Sequence, residues 1–379
     1  MKIVIAPDSF KGSATAQQAA DAIEVGVKRV FPEVEIEKVP MADGGEGTVQ
    51  SLVDATGGKF RDVTVLGPLG QETTARYGLL GDSKTAVIEM AAASGIQFVD
   101  EHTKNPLITT TYGTGQLMLD ALHHGSQQLI LGIGGSATTD GGAGMAEALG
   151  VKFLDINNHP IPRGGGGLSE LDHIDLSGID PLVAKAQIRI ASDVTNPLTG
   201  KIGSAAIFGP QKGATPDMIS ILDANLKHYA KVIQRDVGRN IDQTPGSGAA
   251  GGLGAGLLAF TNANLERGVE IVLEMTHLKQ RVTGADIVFT GEGGIDFQTQ
   301  YGKTPMGTAQ AVKEIDSNIT VVALAGNVGE GIDQLYDLGI DAVFGILPGV
   351  EALPVAIEQV RENLARTAEN VMRLWGRKR

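Results

Sequence analysis

The sequence predicts an α/β protein with two domains: a flavodoxin-like doubly wound parallel sheet built from both chain ends, and an inserted domain of mixed α/β structure. Three observations carry this. The first 58 residues alternate strand, helix, strand, helix; the last hundred or so resume the alternation; and the middle has a different texture, with short alternating runs between turn residues. At 379 residues the chain also exceeds what one hydrophobic core supports, so two cores are expected.

At the front, "KIVIA" is a buried-type strand, followed by a helix whose Ala20, Ile23, Val27 and Val30 share one face. Thr15 and Gln18 form a capping box at its start. The strand "VEIEKVP" follows, and then the loop "MADGGEG" feeds a helix that stops at Gly57–Gly58. The stretch from Phe60 to Gly95 reads as antiparallel strands with turn signals. Further along come the strands in "LILGIGG" and "AQIRIA", a long helix around Pro216–Val237, and the glycine-rich "GSGAAGGLGAGLLAF". At the back, "ADIVFTGEG", "ITVVALAG" and "DAVFGILPG" are three buried strands separated by helical stretches at Pro305–Ile315 and Gly331–Leu338. A long amphipathic helix carrying Leu353, Ile357, Val360, Leu364 and Val371 closes the chain. Two front strands and three back strands complete a five-stranded parallel sheet of the flavodoxin type. The expected domains are therefore 1–58 with 281–379, and 59–280 inserted, with the active site in the cleft between them.

Composition narrows the function. Hydrophobic content of 42% and charge of 20% are ordinary for a globular protein, whereas the 52 glycines fall in short clusters without a period, which excludes collagen-like and solenoid folds. The net charge of −13 is spread along the chain and argues against nucleic acid or an anionic membrane as a partner. An anionic substrate then needs local cations or backbone N–H groups. With no Cys, a disulfide framework, thiol catalysis and Cys-ligated metal are excluded. The opening apolar run is too short for a signal peptide and no stretch approaches a membrane span, so a cytoplasmic protein is expected.

In a parallel α/β sheet, ligands bind at the carboxyl ends of the strands. That edge collects "APDSFKGS", "PMADGGEGT", "FTGEGGIDFQTQYGK" and "ALAGN"; the middle contributes "GIGGSATTDGGAG", "ASDVTNPL" and "IFGPQKG". Glycines let backbone N–H groups approach phosphate oxygens, but the neighbouring carboxylates would repel a bare phosphate. A divalent cation resolves the conflict: Asp43, Glu46, Asp140, Asp193, Glu292 or Asp296 could hold Mg²⁺, which bridges phosphates. Lys11, Lys212 or Lys303 can then neutralise the transferring group. This vocabulary suits phosphoryl transfer better than hydride transfer. Singly, each item has a plainer reading: Asp-Gly-Gly as a turn, Lys11 and Lys212 as solvated side chains, Asn196 before Pro197 as a turn initiator.

Gly132, Gly134 and Ala137 fit G-x-G-x-x-A after a strand, with Asp155 at the spacing of a ribose-binding acid, so an NAD(P)-dependent dehydrogenase is the rival enzyme. Against it, Asp140 stands where a pyrophosphate would lie, and the following helix is short. "QYGKT" ends like a phosphate loop, but Phe297 occupies the position of the required first glycine. No G-x-S-x-G or H-E-x-x-H occurs, and no His lies in a glycine loop.

Taken together, "MKIVIAPDSFKGS", "ADGGEGT", "NPLITTTYGTG", "GIGGSATTDGGAGM", "DVTNPLTG", "FGPQKGA", "GAAGGLGAGLLAF" and "TGEGGID" closely resemble the bacterial glycerate kinases that phosphorylate D-glycerate with ATP. The resemblance runs in order through essentially the whole chain. It implies Mg²⁺-ATP as donor and 2-phosphoglycerate as product, on a fold unrelated to P-loop kinases. One departure stands out: the family pattern reads G-E-G-R-I-D and then H-G-K, where this chain has Gly294 and Tyr301. A homodimer is compatible with the resemblance, and a non-catalytic organic-acid sensor is the second rival.

Under this resemblance the reaction is direct in-line transfer to a glycerate hydroxyl. Asp193, at the end of a buried strand and close to Asn196, is the first choice for the base, and Asp296 the second. Lys11 and Lys303 grip carboxylate or phosphate. Asp8, Ser9, Gly44, Gly45, Gly134, Gly135, Ser136, Asn196, Lys212, Gly291, Gly293 and Gln298 line the substrates. Asp43, Glu46, Asp140 and Glu292 are the expected Mg²⁺ ligands, with Asp140 alternatively capping a helix.

Overall fold

The computed structural model describes residues 1–377. In chain order the strands are β1 (Lys2–Ile5), β2 (Glu35–Lys38), β3 (Lys59–Leu66), β4 (Glu72–Leu79), β5 (Thr85–Glu89), β6 (Gln128–Gly132), β7 (Lys152–Leu154), β8 (His173–Asp175), β9 (Gln187–Ala191), β10 (Ala263–Glu266), β11 (Ile287–Ile295), β12 (Thr320–Val328) and β13 (Ala342–Gly345). The chain divides into two units, Met1–Gly57 with Arg267–Arg379, and Gly58–Glu266.

The first unit is built on a five-stranded sheet in the order β13-β12-β11-β1-β2, every pair parallel. This is the flavodoxin order expected from two front and three back strands. Apolar residues occupy both faces of its central strands because helices cover both: Ile3, Val4 and Ile5 of β1 and Ile287, Val288 and Phe289 of β11 are all fully buried. The helix Ala16–Lys28 starts at the expected capping box, with Thr15 accepting from Gln18 N and Gln18 accepting from Thr15 N. Its buried stripe, with Ile23 and Val27, packs on the closing helix Val360–Trp375 through Leu364 and Ala368. The two backbones approach so closely that a Cβ on Gly26 would lie 2.0 Å from the Ala365 carbonyl oxygen.

Three sequence expectations change here. The closing helix is two helices, Leu353–Glu358 and Val360–Trp375, joined at Gln359. The helix expected over Gly331–Leu338 shortens to Asp333–Asp337. Residues 267–280, expected in the inserted domain, belong to the first unit. The helix Gly268–Met275 packs beside the helix Thr304–Ile315, where Gly307 leaves room for Val269, and Gly268 abuts the Asp43 carbonyl.

The second unit contains a six-stranded sheet in the order β10-β9-β6-β5-β4-β3 and a small β7–β8 hairpin. Strands β3, β4 and β5 pair antiparallel, as the alternating texture of that stretch predicts, and β5, β6, β9 and β10 pair parallel. Its core includes Tyr77, Leu117, Leu131, Ile188 and Tyr229, with Phe153 edge-on to Phe260 at 5.5 Å between ring centroids. The helix Ala249–Phe260 contains three left-handed residues, Ala250, Gly251 and Gly252. Only a glycine fits at the second, since a Cβ there would lie 1.8 Å from the Thr138 carbonyl oxygen.

Candidate active site

The carboxyl ends of the parallel strands in the first unit deliver three acids to one place. Asp8 follows β1, Asp43 follows β2, and Glu292 lies in the last half of β11. The register holds them there: Asp8 N donates to Gly291 O at 2.8 Å, and the Thr290 hydroxyl donates to Ala6 O at 2.9 Å, tying β11 to β1.

Asp8 is 7% exposed. It accepts from the Thr304 hydroxyl and, at 2.5 Å, from Ser9 N. Burial outweighs these two hydrogen bonds, and with the Asp43 charge nearby it pushes the Asp8 carboxyl up to about 7. Glu292 behaves alike. Burial raises it to about 7; the charges of Asp8 and Asp43 act in the same direction, against Lys303 and the Thr299 hydroxyl. Lys303 Nζ stands 3.8 Å from Glu292 Oε1, and Thr299 Oγ1 donates to the same oxygen at 3.4 Å. Asp43 uses one oxygen to accept from Gly45 N at 3.0 Å. The site is therefore short of positive charge: the Asp43 charge raises both Asp8 and Glu292, and Lys303 offsets this at Glu292.

Among the described residues no group of three or more His, Asp and Glu side chains is drawn together as a ready-made metal cage. That is compatible with Mg²⁺, which keeps several waters and takes one or two carboxylates together with substrate phosphates. The hard oxygen donors of Asp8, Asp43 and Glu292, two of them raised to about 7 by burial and then by the neighbouring acids, fit such an ion.

Several sequence choices fall elsewhere. Glu46 does not join the acids; it is exposed and pairs with the equally exposed Lys11 at 3.3 Å, on the surface loop that also carries Gly12. Asp296, the second-choice base, caps its own turn, accepting from Gln298 N at 2.8 Å through one oxygen. Gln298 itself points outward. Gly44 is left-handed at φ 94°, and Gly291 is packed so that a Cβ would meet Leu324 O at 2.1 Å; both serve the backbone. Gly293 lies beside the backbone of Phe10 and Lys11. Gly294 faces open space, so the missing family Arg leaves room and no strain, and Tyr301 is 71% exposed.

In the second unit, Asp140, expected as a metal ligand or a helix cap, is enclosed by backbone donors. It is fully buried and accepts from Thr111 N and Oγ1, Gly142 N and Gly144 N, so both oxygens are spent on holding the backbone around it. Lys212, expected at the substrates, is enclosed as well. It is 1% exposed, donates to Thr138 O at 2.6 Å, and burial lowers its ammonium to about 7 despite the Asp140 charge. Asn196 braces its loop, donating to Ile202 O and accepting from Gly248 N. Gly134 and Gly135 follow β6 on an exposed loop, while Ser136 is buried and bridges to Gly95. Asp193 follows β9 and is exposed. Sequence reasoning missed Thr299 and Thr304, whose only signal is their place beside "GKTP" and "FQT" in the Glu292–Lys303 loop.

A family model described as "Glycerate kinase family" matches residues 3–376. The chain belongs to the glycerate kinase family. It is 53% identical to a glycerate kinase of Halalkalibacterium halodurans over 369 residues, which is 97% of each chain. It is 47% identical to the glycerate 2-kinase of Escherichia coli over 371 residues, 98% of this chain and 97% of that one. A crystal structure from Salmonella typhimurium LT2, whose description carries the words glycerate kinase 2, superposes with a TM-score of 0.92 at 47% identity, covering 100% of this chain and 99% of the other.

Membership of the glycerate kinase family bears out the resemblance read from the loops, and the dinucleotide alternative loses its footing in the same geometry. After β6 the chain passes through ten non-helical residues to the six-residue helix Ala143–Ala148. Asp155 then follows β7, which pairs antiparallel with β8 and not with β6, and accepts from Asn157 N and His159 N of its own turn. No helix among the described residues is long and apolar enough to cross a membrane.

Proposed function

We propose that this glycerate kinase family member transfers the γ-phosphoryl group of Mg²⁺-ATP to the 2-hydroxyl of D-glycerate, giving 2-phosphoglycerate and ADP. The observation that carries the reading is the cluster of Asp8, Asp43 and Glu292 beside Lys303: acids deficient in positive charge, next to one lysine, at the ligand-binding edge of a parallel sheet. Membership of the family and the E. coli relative named a glycerate 2-kinase support substrate and regiochemistry.

In this reading Asp8 and Asp43 would hold Mg²⁺, which when bound supplies the positive charge that polyphosphate oxygens require in an acidic site. Glu292 replaces Asp193 and Asp296 as the base. One of its oxygens is engaged by Lys303 and Thr299; the other is left to accept the proton of the attacking hydroxyl. A base with a pKa near 7 is matched to that task. Lys303 neutralises charge on the transferring group, and Thr304 fixes Asp8 from the start of its helix. Transfer is direct, and positioning with charge neutralisation provides the rate.

Incubation of the protein with Mg²⁺-ATP and D-glycerate, followed by phosphorus NMR, tests the reading. A 2-phosphoglycerate resonance is expected. No new phosphate ester would overturn the transfer, and a 3-phosphoglycerate signal would overturn only the position of attack.

A further inference from the structure

The Lys303 ammonium stands beside Glu292 only while the turn that carries it is held in place. Tyr301 ends the 3₁₀ turn Phe297–Tyr301, Gly302 is left-handed at φ 111°, and Lys303 is the N-cap of the helix Thr304–Ile315. A left-handed glycine between two short-range elements gives this segment a point of free rotation.

Arg267 lies on that point. A Cβ on Gly302 would meet Arg267 Nη2 at 1.9 Å, Cζ at 3.0 Å and Nε at 3.3 Å, so the guanidinium fills the space that a side chain at 302 would take. Nη2 also donates to Tyr301 O at 3.5 Å. The backbone that delivers this guanidinium is itself fixed. A Cβ on Gly268 would lie 1.8 Å from Asp43 O, and a Cβ on Gly307 would lie 2.4 Å from Val269 Cγ2. Gly307 N in turn donates to Lys303 O at 3.0 Å. Three consecutive residues, Arg267 to Val269, therefore rest against the Asp43 loop and the segment that carries Lys303.

Helix stability does not account for an arginine here. Arg267 is the N-cap of the helix Gly268–Met275, makes no side-chain capping bond, and places a cation at the helix end that already carries partial positive charge. Its ion pair with Glu270, at 3.4 Å and exposed on both sides, adds little. We propose that Arg267 is a positioning residue for Lys303: its guanidinium, laid on Gly302, holds the turn that sets the Lys303 ammonium beside Glu292. The proposal rests on the role given to Lys303 in the reading above and deepens it. The plane of the guanidinium is what packs on the glycine, so a lysine at 267 keeps the charge and loses the hold.

The test is steady-state kinetics of the whole protein with Mg²⁺-ATP and D-glycerate, comparing wild type, Arg267→Ala, Lys303→Met and the double variant. Arg267→Ala should lower kcat about tenfold, since a misplacement of about 1 Å can cost as much as 10²-fold. The KM for either substrate should stay within about twofold, because Arg267 acts through Lys303. In the Lys303→Met background the same change should cost less than a further factor of about two, there being no ammonium left to position; a merely structural role would slow both backgrounds alike. Arg267→Lys should remain slow, and a wild-type rate in it would overturn the packing argument. If Lys303→Met is slow but Arg267→Ala is not, or if the two losses multiply in the double variant, the positioning assignment is overturned while the transfer reading stands. If Lys303→Met keeps the wild-type kcat, or wild type transfers no phosphoryl group, the reading itself fails and the assignment with it. The Arg267 side chain is 46% exposed, so its variants should fold, with a Tm within about 2 °C of wild type.

Discussion

Replacing Asp8 by Asn isolates the electrostatic cost of the acid cluster. The carboxyl titrates at about 7 in the fold, against an ordinary value of 3.8. A folded-state pKa above the unfolded one means that, between those two values, the native state keeps a proton the unfolded state has already released. The native protein therefore binds more protons there, and stability falls as pH rises from about 4 to about 7. A gap of about three pH units corresponds to about 4 kcal/mol. Asn is neutral throughout and does not incur this loss. It exchanges the hydrogen bonds from Thr304 and Ser9 for an amide arrangement at a pH-independent cost of about 1 kcal/mol. Urea unfolding of both proteins, without Mg²⁺ or nucleotide, should then show the stability of Asp8→Asn relative to wild type growing by about 4 kcal/mol between about pH 4 and pH 8. The same variant should lose most of its transferase activity and the stabilisation that wild type gains from added Mg²⁺ and ADP. Parallel stability profiles for the two proteins across this range would refute the argument, because a carboxyl that ionises normally in the fold has no such cost to remove.

Lys303→Met removes the cation beside Glu292 and should lower kcat by about 10²–10³ in a coupled ADP-release assay, with thermal stability little changed. Gly251→Ala should destabilise by more than about 3 kcal/mol in urea unfolding, because the residue is left-handed and its Cβ would lie 1.8 Å from a backbone oxygen. Gly134→Ala, whose Cβ meets nothing within 4 Å, should leave stability within about 0.5 kcal/mol in the same experiment. Gly294→Arg extends into open space, so it should be equally neutral for stability and should change the KM for glycerate in steady-state kinetics.

Much of the fold is legible in the sequence because the central sheet of the first unit is parallel and buried on both faces. Such strands read as continuous apolar runs, and "KIVIA", "ADIVF" and "ITVVALA" are recognisable on that ground. The Thr15–Gln18 capping box and the stop at Gly57 are equally local, since each depends on residues within four positions. The break at Gln359 is less visible: the apolar periodicity of Leu353, Ile357, Val360 and Leu364 runs straight through it, and a hydrophobic pattern reports a face without reporting every interruption of the backbone. The assignment of residues 267–280 is also not local, because it depends on Gly268 and Val269 meeting Asp43 and Gly307, far away in sequence.

For the site, the sequence by itself determined the inventory: which loops join glycine with carboxylate and lysine, and that they stand at strand ends. It could not distinguish Asp8, Asp43 and Glu292, whose charges act on one another, from Asp140, which is spent on backbone, and Glu46, which pairs with Lys11 at the surface, since all occur in the same kind of loop. Tertiary structure decided that. Asp140 and Lys212 are enclosed and bound to backbone, where an ionic group serves to hold a loop, whereas Glu292 and Lys303 remain partly open to what approaches the sheet edge. The physical reason is that a carboxyl's chemistry depends on its desolvation and on the charges around it, and burial together with long-range neighbours arises only when strands distant in the chain are laid side by side.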